Sequence, residues 1–108
     1  IFSFNAEIVK KIKELEPSLF SVWLVAAPGT AAEHEAKVFA KVQEIKADAI
    51  GVQFRNALPE LVTMTHAKGK PIFVWTVPPG PEVDRLKALK VNFIITDHPR
   101  DVKAQLGV

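Results

Sequence analysis

The sequence predicts an α/β fold built from parallel βα repeats. Three observations carry this reading. Five short apolar runs are each followed by an amphipathic stretch, glycine and proline punctuate the joints, and no hairpin-type turn links two runs. Strands joined through helices without hairpins run parallel, with right-handed crossovers. The unit is clearest from Gly69 to Val77. There a helix stops at Gly69, Pro71 forbids its continuation, and the run from Ile72 to Val77 has no polar residue before Thr76. Such a run predicts a strand covered on both faces.

Each element follows from local chemistry. The first strand is Ile1 to Phe4. Asn5 then caps a helix whose apolar stripe is Ile8, Ile12 and Leu15 and which Pro17 ends. The second strand is Ser21 to Ala27, closed by the turn Pro28-Gly29. Thr30 with Glu33 forms a capping box for a helix to about Lys46 with the stripe Val38, Val42 and Ile45. Ala49 to Phe54 is the third strand. Asn56 caps the next helix, Pro59 sits in its first turn, and Lys68-Gly69 ends it. After the fourth strand, the loop Pro78-Pro79-Gly80-Pro81 opens a helix that turns Val83, Leu86 and Leu89 inward. Phe93 to Thr96 is the fifth strand. Asp97 is the expected cap of a last helix bearing Val102 and Leu106.

Composition bounds what this fold can be. A chain of 108 residues makes a single domain, residues 1–108, and buries roughly 60–70% of its unfolded surface. With 48% hydrophobic residues it is too apolar for disorder, yet no run reaches the ~20 residues of a membrane span. The 14 basic and 12 acidic residues are scattered along helical faces, so no nucleic-acid partner is expected. The absence of cysteine excludes disulfides and thiolate chemistry and suits a reducing, cytoplasmic location. The chain begins at Ile1 inside a strand, so the N-terminal part of a longer parent is expected to precede it.

Periodicity leaves two architectures open, an open doubly wound five-stranded sheet and a partial (β/α)8 barrel of about five units. The motifs Ser3-Phe4-Asn5, Thr65-His66-Ala67-Lys68-Gly69, Val74-Trp75-Thr76-Val77 and Phe93-Ile94-Ile95-Thr96-Asp97-His98-Pro99 resemble, in this order and spacing, the glycerophosphodiester phosphodiesterase family. The resemblance implies a TIM barrel of which this chain is roughly strands four to eight. It also implies that the Ca2+ or Mg2+ ligands and both catalytic histidines belong to the missing N-terminal part. No catalytic or metal-binding residue is therefore assigned here, and the chain alone is expected to be inactive.

The resemblance implies a substrate-binding role for Trp75, with Phe4 as its matching aromatic; the alternative for Trp75 is a core position. Gln53 falls on the third strand, with Arg55 and Asn56 at its C-terminal end, and is a further substrate-binding candidate. His98, at the same edge, is the fourth, with a solvated loop histidine as the alternative. Pro78 replaces the family's asparagine after Trp-Thr-Val, which stiffens that loop. His34 is followed by Glu35, but Val38 occupies the position where a zinc motif needs histidine, so that reading fails. His66 is expected on a helix surface.

Three function classes follow. The first is a fragment of a metal-dependent phosphodiester hydrolase that splits glycerophosphodiesters into glycerol 3-phosphate and an alcohol. The second is a half-barrel scaffold that pairs with a second copy of itself. The third is a phosphate-binding module using the helix N-termini at Asn5, Thr30, Asn56, Pro81 and Asp97.

Overall fold

The computed structural model describes residues 1–25 and 32–107, with backbone alone for residues 32–36. Strands β1 (Phe2–Ser3), β2 (Val22–Val25), β3 (Ala49–Gln53), β4 (Ile72–Trp75) and β5 (Phe93–Ile94) alternate with helices α1 (Ala6–Leu15), α2 (Ala32–Ile45), α3 (Pro59–Ala67), α4 (Pro81–Leu89) and α5 (Pro99–Leu106). All strand pairs are parallel, in the order β1-β2-β3-β4-β5. A doubly wound sheet reverses its strand order at a switch point. Here each strand lies beside its neighbour in the chain, so right-handed crossovers place all five helices on one face. The sheet is an arc of a (β/α)8-type barrel, and the doubly wound alternative falls.

The arc is strongly bent. Phe2 on β1 and Phe73 on β4 meet edge-to-face with ring centroids 5.2 Å apart, although β2 and β3 lie between them. Strand spacings of about 4.8 Å would part them by roughly 14 Å on a flat sheet. One residue makes room for this: a Cβ on Gly51 would stand 2.8 Å from Leu24 Cδ2 and 3.2 Å from Trp75 Cζ3.

The convex face carries the core. Ile50 and Val52 of β3 lie in register with Ile72 and Val74 of β4, and all four are fully buried. Val38, Val42 and Ile45 of α2, Leu61 and Val62 of α3, and Val83 and Leu86 of α4 pack over them. Among the described residues, no helix lies above the concave face. Phe73 and Trp75 are only half-buried, and Phe2, Phe4, Phe20, Phe93 and Ile95 are exposed. The expectation that β4 is covered on both faces is thus corrected: one side meets helices, and the other lies on the concave side of the arc. The α1 stripe also differs, because Val9 is the buried residue while Ile8 and Leu15 are exposed.

Strand and cap boundaries shift at the edges. β1 ends at Ser3, whose hydroxyl accepts a hydrogen bond from the Asn5 N–H at 3.1 Å and turns the chain into α1. Asn5 caps α1 as expected, its Oδ1 accepting from the N–H groups of Glu7 and Ile8. Phe54–Asn56 forms a 3-10 turn, so Asn56 caps nothing; α3 starts from Leu58 with Pro59 in its first turn. Asp97 is likewise no cap, because α5 starts from His98 without a side-chain bond. Gly69 takes the left-handed conformation expected after α3, with φ 71°. The Pro28-Gly29 turn and the Thr30-Glu33 box lie outside the described residues, as does the His34 side chain.

The end of the sheet at the strand N-termini is tied by one carboxylate. Asp48 Oδ2 accepts from Lys13 Nζ at 2.9 Å and from the Ser21 N–H at 2.8 Å, and Lys13 also donates to the carbonyls of Pro17 and Leu19. Partial burial pushes the Asp48 carboxyl up. The bonds from Lys13 and Ser21 and the charges of Lys13 and Lys70 outweigh it, and the net pKa lies below the ordinary value. A depressed folded pKa contributes stability above the unfolded value of about 4, lost as pH falls through the folded one. The melting temperature is therefore expected to drop across that acid window, and by less in Asp48→Asn. Parallel thermal melts from pH 6 to pH 2 would show this; superimposable curves would refute it.

Candidate functional site

The site lies at the C-terminal edge of the arc, on its concave side. Alternation along each strand sets what points there. Gly51 faces inward, so Gln53, two residues on, does too, and the register pairs Gln53 with Trp75. Phe2 faces Phe73, so Phe4, one step beyond β1, comes over Trp75. Their ring centroids stand 5.7 Å apart at 88°, an edge-to-face pair that joins the first and fourth units. One side-chain bond holds the Phe4 backbone, as Trp23 Nε1–H donates to its carbonyl at 3.1 Å.

The structure thus brings Phe4, Trp75 and Gln53 onto one wall. Gln53 is partly committed: its Oε1 accepts from the Arg55 N–H at 2.9 Å, holding the turn that follows β3, while Arg55 places its guanidinium 5.1 Å over the Phe54 ring. His98 stands apart. It is exposed, and its N–H donates to Thr96 Oγ1 at 3.1 Å; that hydroxyl in turn donates to the Val77 carbonyl at 2.7 Å. His98 shares the edge with Trp75 without joining the aromatic wall. His66 is exposed on α3, with Nε2 2.9 Å from Asn92 Oδ1.

Two supports of this edge carry no local sequence signal. Arg85 reaches from α4 to the carbonyls of Ala57 at 2.8 Å and Phe54 at 2.7 Å, clamping the turn after β3, while its Nε bonds Glu82 at 2.8 Å. Gln105 of α5 grips both the N–H and the carbonyl of Gly80, fixing the proline-rich loop after β4. The aromatic strip did leave a signal. Phe2 and Phe4, Phe73 and Trp75, and Phe93 and Ile95 each recur at i, i+2, the period of one strand face.

An apolar wall with one amide can orient a substrate but moves no proton. Among the described residues, no three histidine, aspartate or glutamate side chains come together as a metal ion would require. Asp97 is a lone exposed acid where a divalent cation wants several converging oxygens. The described residues therefore do not fit a Ca2+ or Mg2+ site. Among them, no helix is long and apolar enough to cross a membrane.

Comparisons with known proteins agree with this geometry. The profile of the Glycerophosphoryl diester phosphodiesterase family matches residues 1–101. Curated protein sequences gave no match. Among solved structures, the chain is similar to a glycerophosphodiester phosphodiesterase from Parabacteroides distasonis, at 20% identity and TM-score 0.78, over 98% of this chain and 42% of that one. It is also similar to a phosphodiesterase from Oleispira antarctica solved with its product sn-glycerol-3-phosphate, at 15% identity and TM-score 0.82, over 99% of this chain and 41% of that one. These likenesses show the fold, and the chain spans about two fifths of each of the two structures. With the family profile running through all five strands and four of the five helices, this chain belongs to the glycerophosphoryl diester phosphodiesterase family.

Proposed function

We propose that this chain forms strands four to eight of a glycerophosphodiester hydrolase and supplies the apolar wall of its substrate pocket. The observation that carries the reading is the Phe4–Trp75 pair, a rigid aromatic corner at the strand C-termini, where barrels of this class bind their substrates. Support comes from the Oleispira antarctica structure, which holds sn-glycerol-3-phosphate in the same fold. On this reading the glycerol carbons rest on Trp75 and Phe4, the Gln53 amide meets a hydroxyl, and His98 borders the entrance. A divalent cation, if used, takes its ligands from the remainder of the barrel.

Two assays test this. The purified chain with added Ca2+ or Mg2+ is expected to show no turnover of glycerophosphocholine, and the chain fused behind the N-terminal part of a family member is expected to show it. In that fusion Trp75→Ala is expected to raise KM about tenfold or more, since covering a large apolar side chain contributes about 1.5–3 kcal/mol. Turnover by the chain alone, or an unchanged KM in the fusion, would refute the reading.

The exposed concave face supports a second reading, a non-catalytic half-barrel that covers this face with another copy of itself. Light scattering across a concentration series tests it, and a monomer at high micromolar concentration removes it.

A further inference from the structure

The outer layer of helices is not closed everywhere. Between α2 and α3 lies an open cavity of about 740 Å3, within the ~300–1,000 Å3 of small-molecule sites. Its lining is divided. Phe39 and Val42 are buried along α2, and Met64, a flexible and adaptable side chain, stands opposite on α3. Lys46, Lys68 and Lys70 also line it. Lys46 follows α2 in the left-handed conformation at φ 57°, Lys68 ends α3, and Lys70 precedes β4. All three sit at the strand N-terminal end, opposite Trp75.

None of the three belongs to an ion pair within 4.0 Å among the described residues. The Asp48 carboxylate, which feels the Lys70 charge, is already held by Lys13 and Ser21. Helix C-termini account for a cation at each helix end. They do not account for three lysines lining one partly apolar slot.

We propose that this groove binds a single-chain amphiphile with a phosphate or carboxylate head. The chain lies along Phe39, Val42 and Met64, and the head meets the three lysines. The site is separate from the aromatic wall and does not depend on the hydrolase reading.

The test titrates the isotope-labelled chain with dodecyl phosphate below its micellar concentration and follows backbone amide shifts. Shifts centred on residues 39–46 and 64–70 are expected. Affinity should fall about tenfold or more in the triple variant Lys46→Gln, Lys68→Gln, Lys70→Gln and survive when the three become arginine; thermal melts confirm that both variants fold. Inorganic phosphate and dodecyl maltoside should each bind at least tenfold more weakly. Three results would overturn the proposal: shifts centred on Phe2, Phe73 and Phe93, unchanged affinity in the glutamine variant, or binding to anionic phospholipid vesicles without binding of the monomeric probe.

Discussion

Ile72→Ala is expected to destabilise the chain by about 2–5 kcal/mol, a large part of the 5–15 kcal/mol that a domain of this kind holds. Ile72 is fully buried on the convex face, in register with Ile50 and under the helical layer, so truncation opens a cavity that neighbours on two elements must line. Phe73→Ala, one residue along, removes a larger side chain and is expected to cost less in the isolated chain. Its ring is partly exposed on the concave side, whereas Ile72 is fully buried. Denaturant unfolding of the two variants reads the difference directly; equal losses would mean that both faces of β4 are core.

Phe73→Glu is expected to weaken assembly with completing βα units, or with a second copy, by about a hundredfold or more. Phe73 is the centre of the aromatic strip. It stacks on Phe93 at 4.3 Å, meets Phe2 edge-on at 5.2 Å and lies tilted 6.2 Å from Phe20. A carboxylate there sits at the partly exposed centre of the strip while the arc is open, and a thermal melt of the variant checks that the chain still folds. Closing the barrel would bury that charge without a partner, at a cost of several kcal/mol, and each 1.4 kcal/mol is tenfold in affinity. Sedimentation or light scattering on the variant alone, and complementation with the N-terminal part, both read this. Assembly at undiminished affinity would show that the concave face is not the joining surface.

The helix-facing half of the fold was legible because its rules are local. The Val38, Val42, Ile45 stripe, the Asn5 cap and the left-handed Gly69 all follow from spacing and backbone sterics within a few residues. The concave half misled for a physical reason. Phe73 and Trp75 are as apolar as residues buried between two layers, because a barrel interior asks the same of them, and nothing in the run Ile72 to Val77 says which neighbour is absent. In α1 the spacing marks Ile8, Ile12 and Leu15 as the apolar stripe, yet Val9 is the residue that packs inward, because α1 lies at one end of the described arc. At the site, resemblance picked out Trp75 and Phe4. Their contact depends on sheet curvature, which no local window encodes, and the same holds for the grip of Arg85 and Gln105 on distant loops.

The bend that joins Phe2 to Phe73 also fixes a circumference. A hoop of eight strands built on these five takes three more. Two copies bring ten, so each would have to surrender one, and β1, only two residues long, is the weakest stave. Yet surrendering β1 breaks the Phe2–Phe73 and Phe4–Trp75 contacts that span the bend. An eight-stranded pair of copies would therefore have to break the contacts that this bend brings together.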